Sequence, residues 1–158
     1  LPLHPLNRYG EVEGRIIGGN LSVLYGLQGT PYGLQTFLNG SSAAIEPLST
    51  AAPLLFIEDI AERHYHIDRM MNNLRMSGVL ERIGGLIVGQ FSDCQDDDSM
   101  NESIYETIRR MVEPYDYPVL MGFPAGHVET NMPILMGAPV RMTVTEDKVK
   151  ILSIAPHH

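Results

Sequence analysis

The sequence predicts a mixed α/β domain with two main helices. Three observations carry that expectation. Short apolar runs at residues 54–57 and 86–88, one after Pro53 and one bracketed by glycines, have the length of buried strands. Between them lies a stretch whose apolar residues recur at steps of three and four, the helical period. The last apolar segments alternate around Glu146-Asp147, as the strands of a hairpin do. At 158 residues with 44% apolar residues, the chain is of a size to bury one sizeable core.

Residues 1–13 are polar and irregular and read as a linker or an entry strand, with the domain proper at 14–156. The first six residues lack an initiator Met, a charged start and an apolar run, so they are not read as a signal peptide but as a segment cut from a longer chain. His157-His158 is set aside with them. A Gly18-Gly-Asn20 turn then leads into a short helix over 21–27, with Asn20 as its N-cap and Gly29-Thr-Pro-Tyr32 as its stop. Residues 33–52 are rich in Gly, Ser, Ala and Thr without a period and predict a long loop.

Residues 54–57 follow as the first buried strand. A helix is expected over 59–77, because Ile60, His64, Ile67, Met71 and Leu74 share one face and Gly78 is a natural stop. Residues 86–88 form the next strand, and Ser92-Asp-Cys-Gln-Asp-Asp-Asp98 an acidic loop. Ser99 and Glu102 have capping-box spacing for a second helix through about Val112. Residues 117–121 predict a third strand that runs into Gly122-Phe-Pro-Ala-Gly-His127. Residues 140–144 and 149–154 make the terminal hairpin.

Composition narrows the function. A net charge of −8 and the absence of a basic run argue against nucleic-acid binding. The lone Cys94 excludes an internal disulfide and suits a reducing, cytoplasmic compartment. No apolar run reaches the roughly 20 residues of a membrane-spanning helix, so no membrane partner is expected.

Two residues stand where chemistry gathers. Glu58 directly follows an apolar strand, and catalytic groups in α/β folds collect at such ends. It and Asp59 could equally be first-turn acids of the following helix. His127 lies on a loop shaped by Pro124 and Gly126, where a scaffold can fix a general base. The plainer alternative is a loop histidine bonded to backbone. His64 and His66 are two apart on a helix and cannot share a metal there. The acidic loop lacks the oxygen spacing and the glycine of an EF-hand, and Gly18-Gly-Asn20 lacks the lysine of a phosphate loop. No metal or cofactor is expected. Cys94 reads as a bystander and the nine methionines as core filler. No serine stands in a Gly-x-Ser-x-Gly elbow, so a Glu58–His127 pair would be two-thirds of a catalytic triad.

Gly18-Gly-Asn-Leu-Ser22 with Gly29-Thr-Pro31, Leu55-Phe-Ile-Glu-Asp-Ile60 with Tyr65-His-Ile-Asp-Arg-Met70, and Gly122-Phe-Pro-Ala-Gly-His127 with Pro133-Ile-Leu-Met-Gly-Ala138 resemble the LD-carboxypeptidases. These serine peptidases include muropeptide-recycling enzymes and microcin self-immunity proteins. The resemblance runs from about Gly14 to Val144 and covers the family's C-terminal domain only, which implies a swivelling β/β/α-type fold with a mixed sheet. It implies that Glu58 and His127 are the triad glutamate and histidine, and that Asn20 lies in a motif facing the cleft as a candidate substrate contact. The nucleophilic serine and the oxyanion hole belong to an N-terminal domain that this sequence does not contain. The implied substrate is a murein tetrapeptide, cut before its terminal D-alanine, and the implied partner is the chain's own N-terminal domain. A homodimer is left open. So are two other readings: an immunity peptidase acting on a peptidyl- or aminoacyl-nucleotide antibiotic, and a non-catalytic binding domain. The segment 33–52 is longer than the family pattern.

Overall fold

The computed structural model describes residues 3–39 and 52–154. Six strands form one mixed sheet in the order β4-β3-β2-β1-β5-β6. Strand β1 (Gly10–Asn20) is shared between two pairings. Its first half, residues 10–15, runs antiparallel to β5 (Pro139–Val144), and its second half, residues 16–20, runs parallel to β2 (Leu54–Ile60). Strands β3 (Gly85–Ser92) and β4 (Val119–Leu120) extend the parallel part. Strand β6 (Val149–Ser153) closes the expected hairpin with β5.

The alternation of side chains along β2 and β3 sorts the core into two layers. Leu55, Ile57, Leu86 and Val88 face the helices, which are α1 (Leu21–Leu27), α2 (Leu34–Leu38), α3 (His64–Met76) and α4 (Ile104–Met111). Ile67, Met71 and Leu74 of α3 and Ile108 of α4 fill that layer. Leu54, Phe56 and Ile87 face the other way and meet Val140, Met142, Val144 and Val149, so the hairpin curls over the second face of the sheet. Each such aliphatic side chain, removed from water, contributes about 1.5–3 kcal/mol. With α3 and α4 as the two main helices, the architecture is the mixed α/β one expected.

Three local expectations are corrected. The helix placed at 59–77 begins at His64, because β2 continues through Glu58 and Asp59 to Ile60, paired with β1 at Glu58 and with β3 at Asp59 and Ile60. Ala61, at φ 57, then turns the chain out of the strand. Its end is as expected: the amides of Gly78 and Val79 return to the carbonyls of Arg75 and Leu74, the pairing of a Schellman stop. The loop placed at 33–52 contains α2, while residues 40–51 lie outside the described residues, as does His157-His158. The capping box belongs to Ser103 and Glu106, not Ser99 and Glu102. Asp97 instead caps a 3-10 turn at Asp98–Met100, and Glu102 is taken by Arg110. Of the two readings of the first residues, the entry strand holds from Gly10, where β1 starts. No helix among the described residues is long and apolar enough to cross a membrane.

Candidate active site

The parallel strands bring their C-terminal ends together at one edge of the sheet. Strand β1 ends there in Gly18-Gly-Asn20, β2 carries Glu58 and β3 carries Gly89-Gln90 two residues before their ends, and the chain leaving β4 turns there through 122–127. This is the edge where α/β folds place their ligands. The register of β3 against β2 slips at this point: Ile57 pairs with Val88 but Asp59 with Phe91. Two residues of β3, Gly89 and Gln90, therefore oppose the single Glu58, a bulge of the kind that re-aims side chains. The hydroxyl of Tyr105 in α4 donates to the Gly89 carbonyl at 3.1 Å and braces the bulge.

The histidine loop lies against that bulge. The Phe123 amide donates to the Val88 carbonyl at 2.9 Å, and the Gln90 amide donates to the Ala125 carbonyl at 2.9 Å. A Cβ on Gly89 would sit 2.5 Å from the Ala125 carbonyl oxygen, so only glycine admits the loop this close. Gly126 carries both constraints at once. It is at φ +133, and a Cβ there would meet Glu58 Oε2 at 3.0 Å and the Gln90 carbonyl oxygen at 3.2 Å. Asn131 accepts the Gly126 amide at 3.2 Å, and the Met132 amide donates to the Pro124 carbonyl at 2.7 Å.

These constraints place His127 on Glu58. The imidazole Nδ1 lies 2.8 Å from Glu58 Oε2. A carboxylate only accepts, so Nδ1–H donates, and in the neutral ring Nε2 then keeps its lone pair. The glutamate side chain is only 8% exposed, whereas the histidine side chain is 50% exposed. The orienting group is thus inside and the basic nitrogen outside. Among the described residues no hydrogen bond takes up Nε2. The pair opens into a cleft of about 560 Å³ bordered by Gly18, Gly19, Phe56, Asn131 and the 132–136 segment. The geometry has a base, its orienter and room for a reactant; among the described residues no nucleophile is hydrogen-bonded to the base.

Asn20 is placed differently from a simple substrate contact. Its Oδ1 caps α1 by accepting the Val23 amide at 3.1 Å, and its Nδ2 donates to Asp59 Oδ1 at 2.9 Å. Asp59, read in sequence as a helix acid, is a buried strut of the β1–α1 junction. Its Oδ2 accepts both the Ser22 amide at 2.9 Å and the Ser22 hydroxyl at 2.6 Å. Four of its partners are thus donors within the fold, counting the Ile60 amide. Sequence reading also missed Gln90, a polar residue directly after an apolar run with no motif around it.

The remaining candidates lie apart from the pair. His64 is buried in the α3–α4 contact, with Nε2 2.7 Å from the Thr107 hydroxyl and Nδ1 accepting the Asp97 amide. His66 pairs with Glu62 at 2.7 Å. The described residues bring together no group of three or more His, Cys, Asp or Glu that could hold a metal. Burial pushes the Cys94 thiol up, which favours its protonated form.

Comparison with known proteins agrees with the motifs. Residues 13–142 match the family model described as the LD-carboxypeptidase C-terminal domain. The chain is 34% identical over 141 residues to the probable murein peptide carboxypeptidase of Bacillus subtilis, covering 87% of this chain and 39% of that protein. It is 27% identical over 144 residues to the microcin C7 self-immunity protein MccF of Escherichia coli, covering 90% and 37%. The crystal structure of muramoyltetrapeptide carboxypeptidase from Oxalobacter formigenes superposes with a TM-score of 0.74 at 26% identity, covering 96% of this chain and 48% of that one. The chain therefore spans less than half the length of these relatives. It belongs to the LD-carboxypeptidase family, of which it is the C-terminal domain.

Proposed function

We propose that this chain supplies the base and its orienter to a serine-type LD-carboxypeptidase that removes the terminal D-alanine from murein tetrapeptides in cytoplasmic cell-wall recycling. The carrying observation is the 2.8 Å hydrogen bond from His127 Nδ1 to a nearly buried Glu58, with Nε2 left toward the cleft. In this reading His127 Nε2 takes the proton of a serine on the chain's own N-terminal domain as that serine attacks the L,D-peptide carbonyl. The same nitrogen returns the proton to the leaving D-alanine amine. Glu58 holds the imidazole in the Nδ1–H tautomer and stabilises the imidazolium formed in between. Asn20, next in sequence to the cleft-lining Gly18 and Gly19, is tied to α1 and Asp59 and has one remaining amide hydrogen to offer a substrate. No metal or cofactor takes part in this scheme.

The chain alone is expected to be inactive, because absence of a triad member costs about 10⁴ or more in rate. The test joins the 158-residue chain to a serine-bearing N-terminal domain of the family and assays two substrates. Release of D-alanine from a murein tetrapeptide by the joined protein, and none by the chain alone, is expected. Turnover by the chain alone that disappears in His127→Ala would refute the division of labour. Preference for an aminoacyl-nucleotide over the tetrapeptide would move the assignment to the immunity class.

A further inference from the structure

The imidazole of His127 is only as well placed as the loop before it, and one residue of β3 grips that loop. Gln90 sits in the bulge opposite Glu58. Its side-chain Nε2 donates to the Gly122 carbonyl at 3.0 Å and to the Phe123 carbonyl at 3.1 Å. Its backbone amide donates to the Ala125 carbonyl at 2.9 Å. Three of the four carbonyls between Gly122 and Ala125 are therefore fixed by this one residue. Its own carbonyl oxygen lies where a side chain on residue 126 would have to go. A glutamine suits this place because a single nitrogen carries two hydrogens, one for each side-chain-bound carbonyl. Methionine has the reach without a donor, and asparagine has the donors on a stem one carbon shorter.

We propose that Gln90 is the positioning residue of the Glu58–His127 pair: it sets the loop so that Nδ1 meets the carboxylate. This rests on the base-and-orienter reading of the pair. Both partners are then referenced to the same bulge, Glu58 by strand pairing and His127 through Gln90. A misplacement on the ångström scale at such a pair is enough to cost about 10²-fold in rate, so the grip matters even though Gln90 touches no reacting atom.

The test reads the tautomer of His127 in the 158-residue chain by ¹⁵N imidazole NMR, at a pH where the ring is neutral, with the signal assigned by its loss in His127→Ala. The wild type is expected to hold mainly the Nδ1–H form. Glu58→Ala and Gln90→Met are both expected to relax it toward the mixture of an unrestrained imidazole, with cooperative unfolding retained. If Gln90→Met does not fold, Gln90→Asn, the milder change, is expected to show the same relaxation in part. A shift in Glu58→Ala with none in either Gln90 variant overturns the proposal and leaves the pair standing. No shift in Glu58→Ala overturns the pair itself. A role of Gln90 in stability alone would lower the unfolding midpoint without moving the tautomer.

Discussion

At the scale of single residues, the site depends on where side chains are missing as much as on where they are present. Gly126 is backed onto Glu58 Oε2 at a φ that other residues rarely adopt. Gly126→Ala is therefore expected to cost about 1–3 kcal/mol in chemical unfolding, and to push the carboxylate out of line with the ring. A stability equal to wild type would mean that the loop has freer backbone than its contacts require. Both members of the pair were legible in the sequence, since an acid after an apolar run and a histidine in a Gly/Pro frame are local signals. Asp59 and Gln90 were not. Their roles come from partners at a distance, Ser22 and Asn20 for one and the 122–125 carbonyls for the other. No spacing rule within a single segment reports such partners.

At the scale of elements, periodicity located strands and helices better than it located their ends. Residues 54–57 looked like a complete strand, yet β2 runs three residues further, because Glu58, Asp59 and Ile60 still have neighbours on β1 or β3. Charged residues in mid-sheet read as helix acids until that pairing is known. The same holds for the start of α4, where two Ser-x-x-Glu spacings lie four residues apart, at Ser99 and Ser103. Only the second closes reciprocally: Ser103 Oγ accepts the Glu106 amide at 3.2 Å, and Glu106 Oε2 accepts the Ser103 amide at 2.7 Å. Ser103→Ala is expected to destabilise the protein by about 1 kcal/mol, and Ser99→Ala by less. The reverse order in thermal unfolding would contradict the assigned cap. The α2 helix went unread because five residues are too few for a period to declare itself.

At the scale of the whole molecule, the acidic balance is held in place by a few paired carboxylates. Hydrogen bonds from Arg110 hold the Glu102 carboxyl below its ordinary range, with the Thr107 hydroxyl adding to the effect. A carboxyl with a depressed folded-state value contributes stability that is fully present above its unfolded-state value. That contribution is lost as pH falls through the folded-state value. The protein is thus expected to lose stability on acidification below the ordinary carboxylate range. Glu102→Gln should be less stable than wild type near neutrality and should converge with it in acid. Parallel melting-temperature curves across that window would exclude Glu102 as a contributor. The mixed sheet and the family were both anticipated, because the motifs fall in order along most of the chain; β1 as one long strand shared by two pairings was not.

The most direct measurement is the steady-state kcat/KM for D-alanine release by the chain joined to a serine-bearing N-terminal domain, compared with its Glu58→Gln and His127→Ala forms. A fall of about 10⁴ in Glu58→Gln and about 10⁶ in His127→Ala, mostly in kcat, is the expected result. Activity within a few-fold of wild type in His127→Ala would show that the proton moves through some other group.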